Sequence, residues 1–222
     1  NVMTGIKNAG GRTGMGAVMG SKNLKAIAIR GSNKIHVADS GVVKEIMHSG
    51  TKNFKKNRNL QGFGKYGTAS MVAVHQAMGG LPTRNWQSGV FDGWEKIDAR
   101  TMYNNVLKGA KENKQESKGR DTCYSCIIRC KRVVEIDKEP YAVNPKFGGP
   151  EFETLATFGS YCGIDSLAAI CKANELCNKY GIDTISCGAT ISWAMEAFES
   201  GRLSLEDTGG IALQFGAADV ML

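Results

Sequence analysis

Proline is scarce in this sequence: four residues in 222, against 28 glycines. Glycine without proline is neither a collagen-like repeat nor a flexible linker composition. It points to tight turns and to backbone that approaches a ligand closely. No apolar run reaches the roughly 18–20 residues that a membrane-spanning helix needs. The opening residues Asn1 to Lys7 lack the apolar stretch of a secretory signal. Histidine is also rare, and His36, His48 and His75 share no metal-binding spacing, so no role is assigned to them. The net charge of +7 comes partly from Lys52–Arg58 and Lys108–Lys118. Both runs are broken by polar residues and lack interleaved aromatics, so they read as solvated helix faces and exclude a nucleic-acid footprint. The 42% apolar and 22% charged residues are the balance of a core-forming chain.

Seven cysteines, an odd number without a secretory signal, place the chain in a reducing compartment, the cytoplasm. With no Met at position 1 and no boundary signal at either end, a piece of a longer protein is expected. Leu24–Arg30 alternates and stops at Gly31, which predicts a strand. Beyond residue 35 the pattern turns helical, and that shift is the expected domain boundary. Helices are expected from Ser40, capped by Asp39 or Ser40, over Ala69–Met78, over 94–118, over Ser166–Lys179 with Asp165 as cap, and over 185–200. The last stretch is expected to be helical to its end. Leu81–Gly93 reads as a loop, and Arg132–Ile136 as a short strand.

Three motifs carry chemistry. Gly14-x-Gly16-x-x-x-Gly20 is one residue too long for a dinucleotide fingerprint and precedes a strand instead of following one. Gly20-Ser21-Lys22 reverses the P-loop order. These glycines serve tight turns or line an anionic cofactor. Cys123, Cys126 and Cys130 form a C-x2-C-x3-C set, whose thiolates can converge on an iron–sulfur cluster or on zinc. Either centre wants a fourth ligand from elsewhere. Arg129, Lys131 and Arg132 flank the set and would partly neutralise an anionic cluster. Cys162, Cys171, Cys177 and Cys187 read as core residues. In Gly148-Gly-Pro-Glu151-Phe-Glu153, the two carboxylates serve either as proton-handling groups or as acids complementing a helix N-terminus. Asn178, Asp183 and Ser186 around Gly181 read as the end of one helix and the cap of the next.

Together these segments resemble the tungsten (or molybdenum) pterin aldehyde:ferredoxin oxidoreductase family. The resemblance runs through Gly11–Gly31, Lys65–Ala69, Asn85–Val90, the cysteine set, Gly149–Thr154, Phe158–Leu167 and Lys172–Ser186. It implies an α+β chain: the end of a β-rich pterin-binding domain over 1–35, then a mainly α-helical iron–sulfur and pterin-binding domain over 36–222. It further implies a metal held by two pterins beside one [4Fe–4S] cluster. Cys123, Cys126 and Cys130 become cluster ligands, the fourth lying outside this chain. Glu153 falls on the family's active-site glutamate. Asn8, Ala9 and Gly11, in the segment Asn8–Arg12, fall where backbone meets the pterin cofactor. Asn178, Ile182 and Asp183 belong to the family's D-x-x-G-L-D pattern, here Asn178-Lys-Tyr-Gly-Ile-Asp183. The implied reaction is aldehyde oxidation to a carboxylic acid, with electrons passed to ferredoxin or an electron-transfer subunit, in an oligomer.

Three positions depart from the pattern. Asn178 replaces the first Asp, Asn8 replaces an Arg common before the Gly-rich turn, and Lys172 and Glu175 replace the Glu-x-x-His of members with a metal-bridged dimer. The aromatic acyl-CoA reductase branch and a non-catalytic iron–sulfur or zinc module stay open as alternatives.

Overall fold

A computed structural model describes residues 1–33 and 35–222; Lys34, beside the expected boundary, lies outside the described residues. The chain opens with an antiparallel hairpin of β1 (Val2–Gly5) and β2 (Asn8–Gly10), pairing Val2 with Gly10 and Met3 with Ala9. Helix α1 (Met15–Ser21) follows. The run Leu24–Arg30 forms no strand. Its alternation is real, but a strand needs an edge to pair with, and Ile27 and Ile29 stand 67% and 89% exposed.

The rest is mainly helical: α2 (Ser40–Phe54), α3 (Arg58–Tyr66), α4 (Met71–Ala77), α5 (Trp94–Ile97), α6 (Ala99–Asn105) and α7 (Gln115–Lys118). A two-stranded ribbon of β3 (Arg120–Asp121) and β4 (Lys131–Arg132) interrupts them before α8 (Phe152–Phe158), α9 (Leu167–Tyr180), α10 (Thr184–Glu199) and α11 (Ala218–Met221). Asp39 caps α2 by accepting from the Gly41 and Val42 amides, as expected. Helix α9 is capped by Ser166, whose hydroxyl accepts from the Ala169 amide; Asp165 instead pairs with Lys96. The single helix expected over 94–118 is broken twice. Asp98 takes an extended ψ of 174° and caps α6, and Gly109 turns left-handed at φ 84°. Of the expected Arg132–Ile136 strand only Arg132 pairs as a strand, together with Lys131 before it; Val134 and Ile136 make isolated bridges to Leu107 and Val143. After Gly201 (φ 72°) the chain turns repeatedly, at Gly209, Gly210 and Gly216, all with positive φ, so it is not helical to its end.

The core lies between α8, α9 and α10. Leu155, Phe158, Ile170, Cys171 and Met195 are all at most 2% exposed. Leu167, Ile170, Cys171, Asn174 and Cys177 form the expected inward face of α9. At Gly188 of α10, a Cβ would stand 2.7 Å from the Thr157 side chain, so glycine sets how closely α8 and α10 approach. Cys162 and Cys171 are core thiols, and burial pushes Cys162 up to about 12. Cys177 is also buried, and a hydrogen bond with half-buried Cys187, then burial, raises its thiol.

A tight approach near the cysteine loop is at Gly67, which ends α3 with φ 62°. A Cβ there would sit 2.6 Å from the Cys130 carbonyl oxygen. Gly67→Ala is expected to cost more than about 1 kcal/mol, from both backbone strain and this collision. Urea unfolding of wild type and variant measures it; equal midpoints would show that the cysteine loop does not rest on α3.

Candidate functional site: a polar cleft beside a cysteine loop

Strands β3 and β4 pair Arg120 with Arg132 and Asp121 with Lys131, closing a loop that carries Cys123, Cys126 and Cys130. The loop begins with a turn in which the Cys126 amide donates to the Cys123 carbonyl at 3.1 Å. The Thr122 hydroxyl donates to the Cys126 carbonyl at 2.6 Å. Ser125 and Arg129 adopt left-handed φ values of 55° and 57°.

Three arginines hold this shape through backbone carbonyls. Arg120 Nη2 donates to Ile128 at 3.1 Å, and Arg129 Nη2 to Arg120 at 2.7 Å. Arg132, 2% exposed, donates to the carbonyls of Gly64 (2.8 Å), Arg129 (3.0 Å), Cys130 (3.0 Å) and Lys65. Gly64 and Lys65 belong to the last turn of α3, whose carbonyls have no intrahelical donor and whose dipole favours a cation. Desolvation brings Arg132 down to about 10, so it stays charged at neutral pH. The flanking cations expected from sequence are present, but two of them are fastened to the protein backbone.

Among the described residues, no three His, Cys, Asp or Glu side chains are gathered around a single-ion position. Cys130 is still close enough to the other two to feel their charges. Burial raises the Cys130 thiol first, followed by the charges of Glu151, Cys123 and Cys126.

Beside the loop lies a cleft of about 810 Å³. Asn8, Ala9, Gly11, Asn178, Ile182 and Asp183 all line it, with Cys123 also on its wall. Cys126, Cys130 and Glu153 do not. Gly14, Gly16 and Gly20 do not either: Gly14 is the left-handed turn before α1, whereas Gly16 and Gly20 lie inside that helix and not in turns, and the cleft glycines are Gly10, Gly11, Gly148 and Gly149. The turn after α9 is built as its residue types require. Gly181 is left-handed (φ 68°), and Asp183 accepts from the Ser186 amide (2.8 Å) and hydroxyl (2.7 Å) to cap α10. The other Asp183 oxygen lies 2.7 Å from where a Gly11 Cβ would be, so only glycine fits against it. Asn178 donates to the Phe147 carbonyl at 2.9 Å, tying α9 to the glycine turn at 148–149.

Sequence reasoning missed several cleft residues. Asn174 sits one turn before Asn178 on the same α9 face, 5% exposed, and its Nδ2 has no hydrogen-bond partner. Its four-residue spacing from Asn178 is the signal that could have found it. Glu151, not Glu153, reaches the cleft and accepts from the Thr68 hydroxyl. Glu153 is exposed in the first turn of α8, between two cleft-lining residues, Glu151 and Thr154. Lys172 and Glu175 are engaged inside the chain: Lys172 donates to the Ala142 carbonyl at 2.8 Å, and Glu175 accepts from the Asn144 amide at 3.2 Å.

Comparison with known proteins shows the family of the chain. A family model described as aldehyde ferredoxin oxidoreductase, domains 2 & 3, matches residues 45–222, and one for the N-terminal domain matches residues 1–31. The chain belongs to the aldehyde ferredoxin oxidoreductase family. A protein of Pyrococcus abyssi named tungsten-containing aldehyde ferredoxin oxidoreductase is 38% identical over 99% of this chain and 34% of its own length. A protein of the same name from Thermococcus kodakarensis is 37% identical over 94% of this chain and 32% of its own. A Pyrococcus furiosus protein named aliphatic sulfonate oxidoreductase, WOR-like subunit, is 30% identical over 94% of this chain and 31% of its own. The chain thus spans about a third of the length of these relatives. Among the described residues no helix is long and apolar enough to cross a membrane.

The family implies a tungsten pterin cofactor, and the cleft fits one. Its glycine-lined wall leaves no room for a side chain at Gly11, and the buried Asn174 amide at its wall lacks a partner. The cleft also mixes ammonium, amide and carboxylate groups suited to a heterocycle with an anionic tail.

Burial holds the Glu151 carboxyl above the usual carboxylate range, against the opposing Thr68 hydroxyl and Arg132 charge. The folded state therefore binds this proton more tightly than the unfolded chain, and native stability falls as pH rises from 4.5, the ordinary value, through the raised one. Glu151→Gln should flatten that fall. Thermal unfolding of the full-length protein across this range measures the effect, and identical pH profiles would contradict it.

Proposed function

We propose that this chain is the part of an oxidoreductase that converts aldehydes to carboxylic acids at a tungsten (or molybdenum) bis-pterin centre. Electrons pass through a [4Fe–4S] cluster to ferredoxin or an electron-transfer subunit. The carrying observation is that one cleft gathers all six residues expected at the cofactor and places Cys123 on the same wall. In this reading residues 1–35 end a β-rich pterin-binding domain, and 36–222 belong to a helical domain that carries the cluster loop. The separate family-model matches on either side of residues 32–44 support that division.

When bound, the metal–pterin centre supplies two-electron redox chemistry and the cluster a one-electron relay. The balance is aldehyde plus water giving carboxylic acid, two electrons and two protons. The chain's own residues bind and orient. Asp183 and Asn178 shape the wall through the α9–α10 turn, and the buried Asn174 amide offers a donor to a heteroatom of the pterin. Cys123, Cys126 and Cys130 would hold three irons of the cluster, the fourth ligand coming from elsewhere in the protein. Glu153 carries an exposed carboxylate whose charge is felt by the cleft residue Glu151, and it would accept a proton at a carboxylate oxygen as the acid forms.

The test compares Glu153→Gln with wild type in the full-length protein, assayed anaerobically with short aldehydes and a viologen acceptor. The variant is expected to lose at least about 100-fold in turnover while keeping its tungsten and iron. Undiminished turnover would remove Glu153 from the reaction. Reduction of an aromatic acyl-CoA thioester by wild type, with no aldehyde activity, would move the protein to the reductase branch.

A further inference from the structure

The cleft is lined by three side-chain cations, Lys7, Lys131 and Arg132, which differ in what they are already bound to. Lys7 is ion-paired with Asp121. Arg132 has its guanidinium on four backbone carbonyls. Lys131 donates to Asn8 Oδ1, a neutral amide, through one of its three ammonium protons. The nearby carboxylates are turned to other donors. Asp121, its cross-strand neighbour, takes Lys7, and Glu151 takes the Thr68 hydroxyl. The result is a half-buried ammonium facing a polar cleft, within the field of Asp121 and Glu151 but with no ion pair of its own among the described residues.

We propose that Lys131 binds the phosphate of the pterin cofactor's tail, held in position by Asn8. This assignment rests on the reading of the cleft as the pterin site. A phosphate monoester carries about −1.5 to −2 charge at neutral pH and accepts several hydrogen bonds, which matches the two remaining ammonium protons. Asn8 stands at the start of β2, where the chain meets the cleft. Its side-chain oxygen accepts from the lysine and so aims the positive charge without cancelling it. Because Lys131 directly follows Cys130 on β4, the same side chain connects the cysteine loop to the cofactor cleft.

The experiment uses the full-length protein, loaded with tungsten and passed through a desalting column. Tungsten, iron and the fluorescent pterin released by acid–iodine oxidation are then measured per chain. Lys131→Met is expected to retain about tenfold less pterin and tungsten at unchanged iron. Lys131→Arg should restore most of both, since a guanidinium also binds phosphate. Lys7→Met, which removes a cation already paired, should lose far less. Wild-type pterin and tungsten content in Lys131→Met would overturn the assignment. So would loss of iron together with pterin that Lys131→Arg does not repair, because the lysine would then be a support of the cysteine loop. A wild-type protein with no pterin at all would instead overturn the reading of the cleft, and this assignment with it.

Discussion

The site depends on one buried guanidinium. Arg132 joins the last turn of α3 to the end of the cysteine loop through four carbonyl contacts, and removing it would take a charged donor from each of those acceptors. Each charge-assisted bond of this kind contributes on the order of 1.5–3 kcal/mol, and burying an unpaired charge without such bonds would cost more than the packing returns. The two glycines where α3 meets the loop follow from the same contact. At Gly64 a Cβ would stand 2.6 Å from the Ile128 carbonyl, much as at Gly67 with Cys130. Arginine and glycine together fix the distance between helix and loop, and hence the place of three thiols relative to the cleft.

Conformational and recognition demands coincide in the cleft wall. Asp183 is an ordinary helix cap through one oxygen, while its other oxygen meets the backbone at Gly11 from the opposite wall. Asn178 replaces an acid found in the family pattern, yet its amide anchors the glycine turn at 148–149 through Phe147, a contact that a carboxylate could not donate. An amide at this position puts no negative charge on the wall. At Asp183 the helix cap is also what holds the residue at the cleft.

Much of this was legible in the sequence wherever local chemistry decides structure. Asp39 before an apolar-periodic run marked α2, and Gly181 followed by Asp183 marked the break between α9 and α10. The buried face of α9 followed from its 3.6-residue period. The cysteine spacing and the glycine-rich segments located the cleft through family likeness. What was not legible depends on partners distant in sequence. Leu24–Arg30 has a strand's pattern without a strand to pair with. The 94–118 stretch is a different case: it has a helix's composition, but Asp98 caps α6 locally and Gly109 turns left-handed. Which of two glutamates faces inward was invisible because Glu151 is drawn in by a threonine 83 residues away. Nor could the contact between Lys131 and Asn8, 123 residues apart, be anticipated from either neighbourhood.

The central claim is that the cleft and the cysteine loop house two different redox groups side by side. Anaerobic elemental analysis of the full-length protein for W, Mo, Fe and Zn, joined to EPR of the dithionite-reduced state, tests it most directly. The account predicts about one tungsten or molybdenum and four irons per chain, with the signal of a reduced [4Fe–4S] cluster. Zinc alone, without tungsten or molybdenum, would contradict it and leave Cys123, Cys126 and Cys130 as part of a structural metal site.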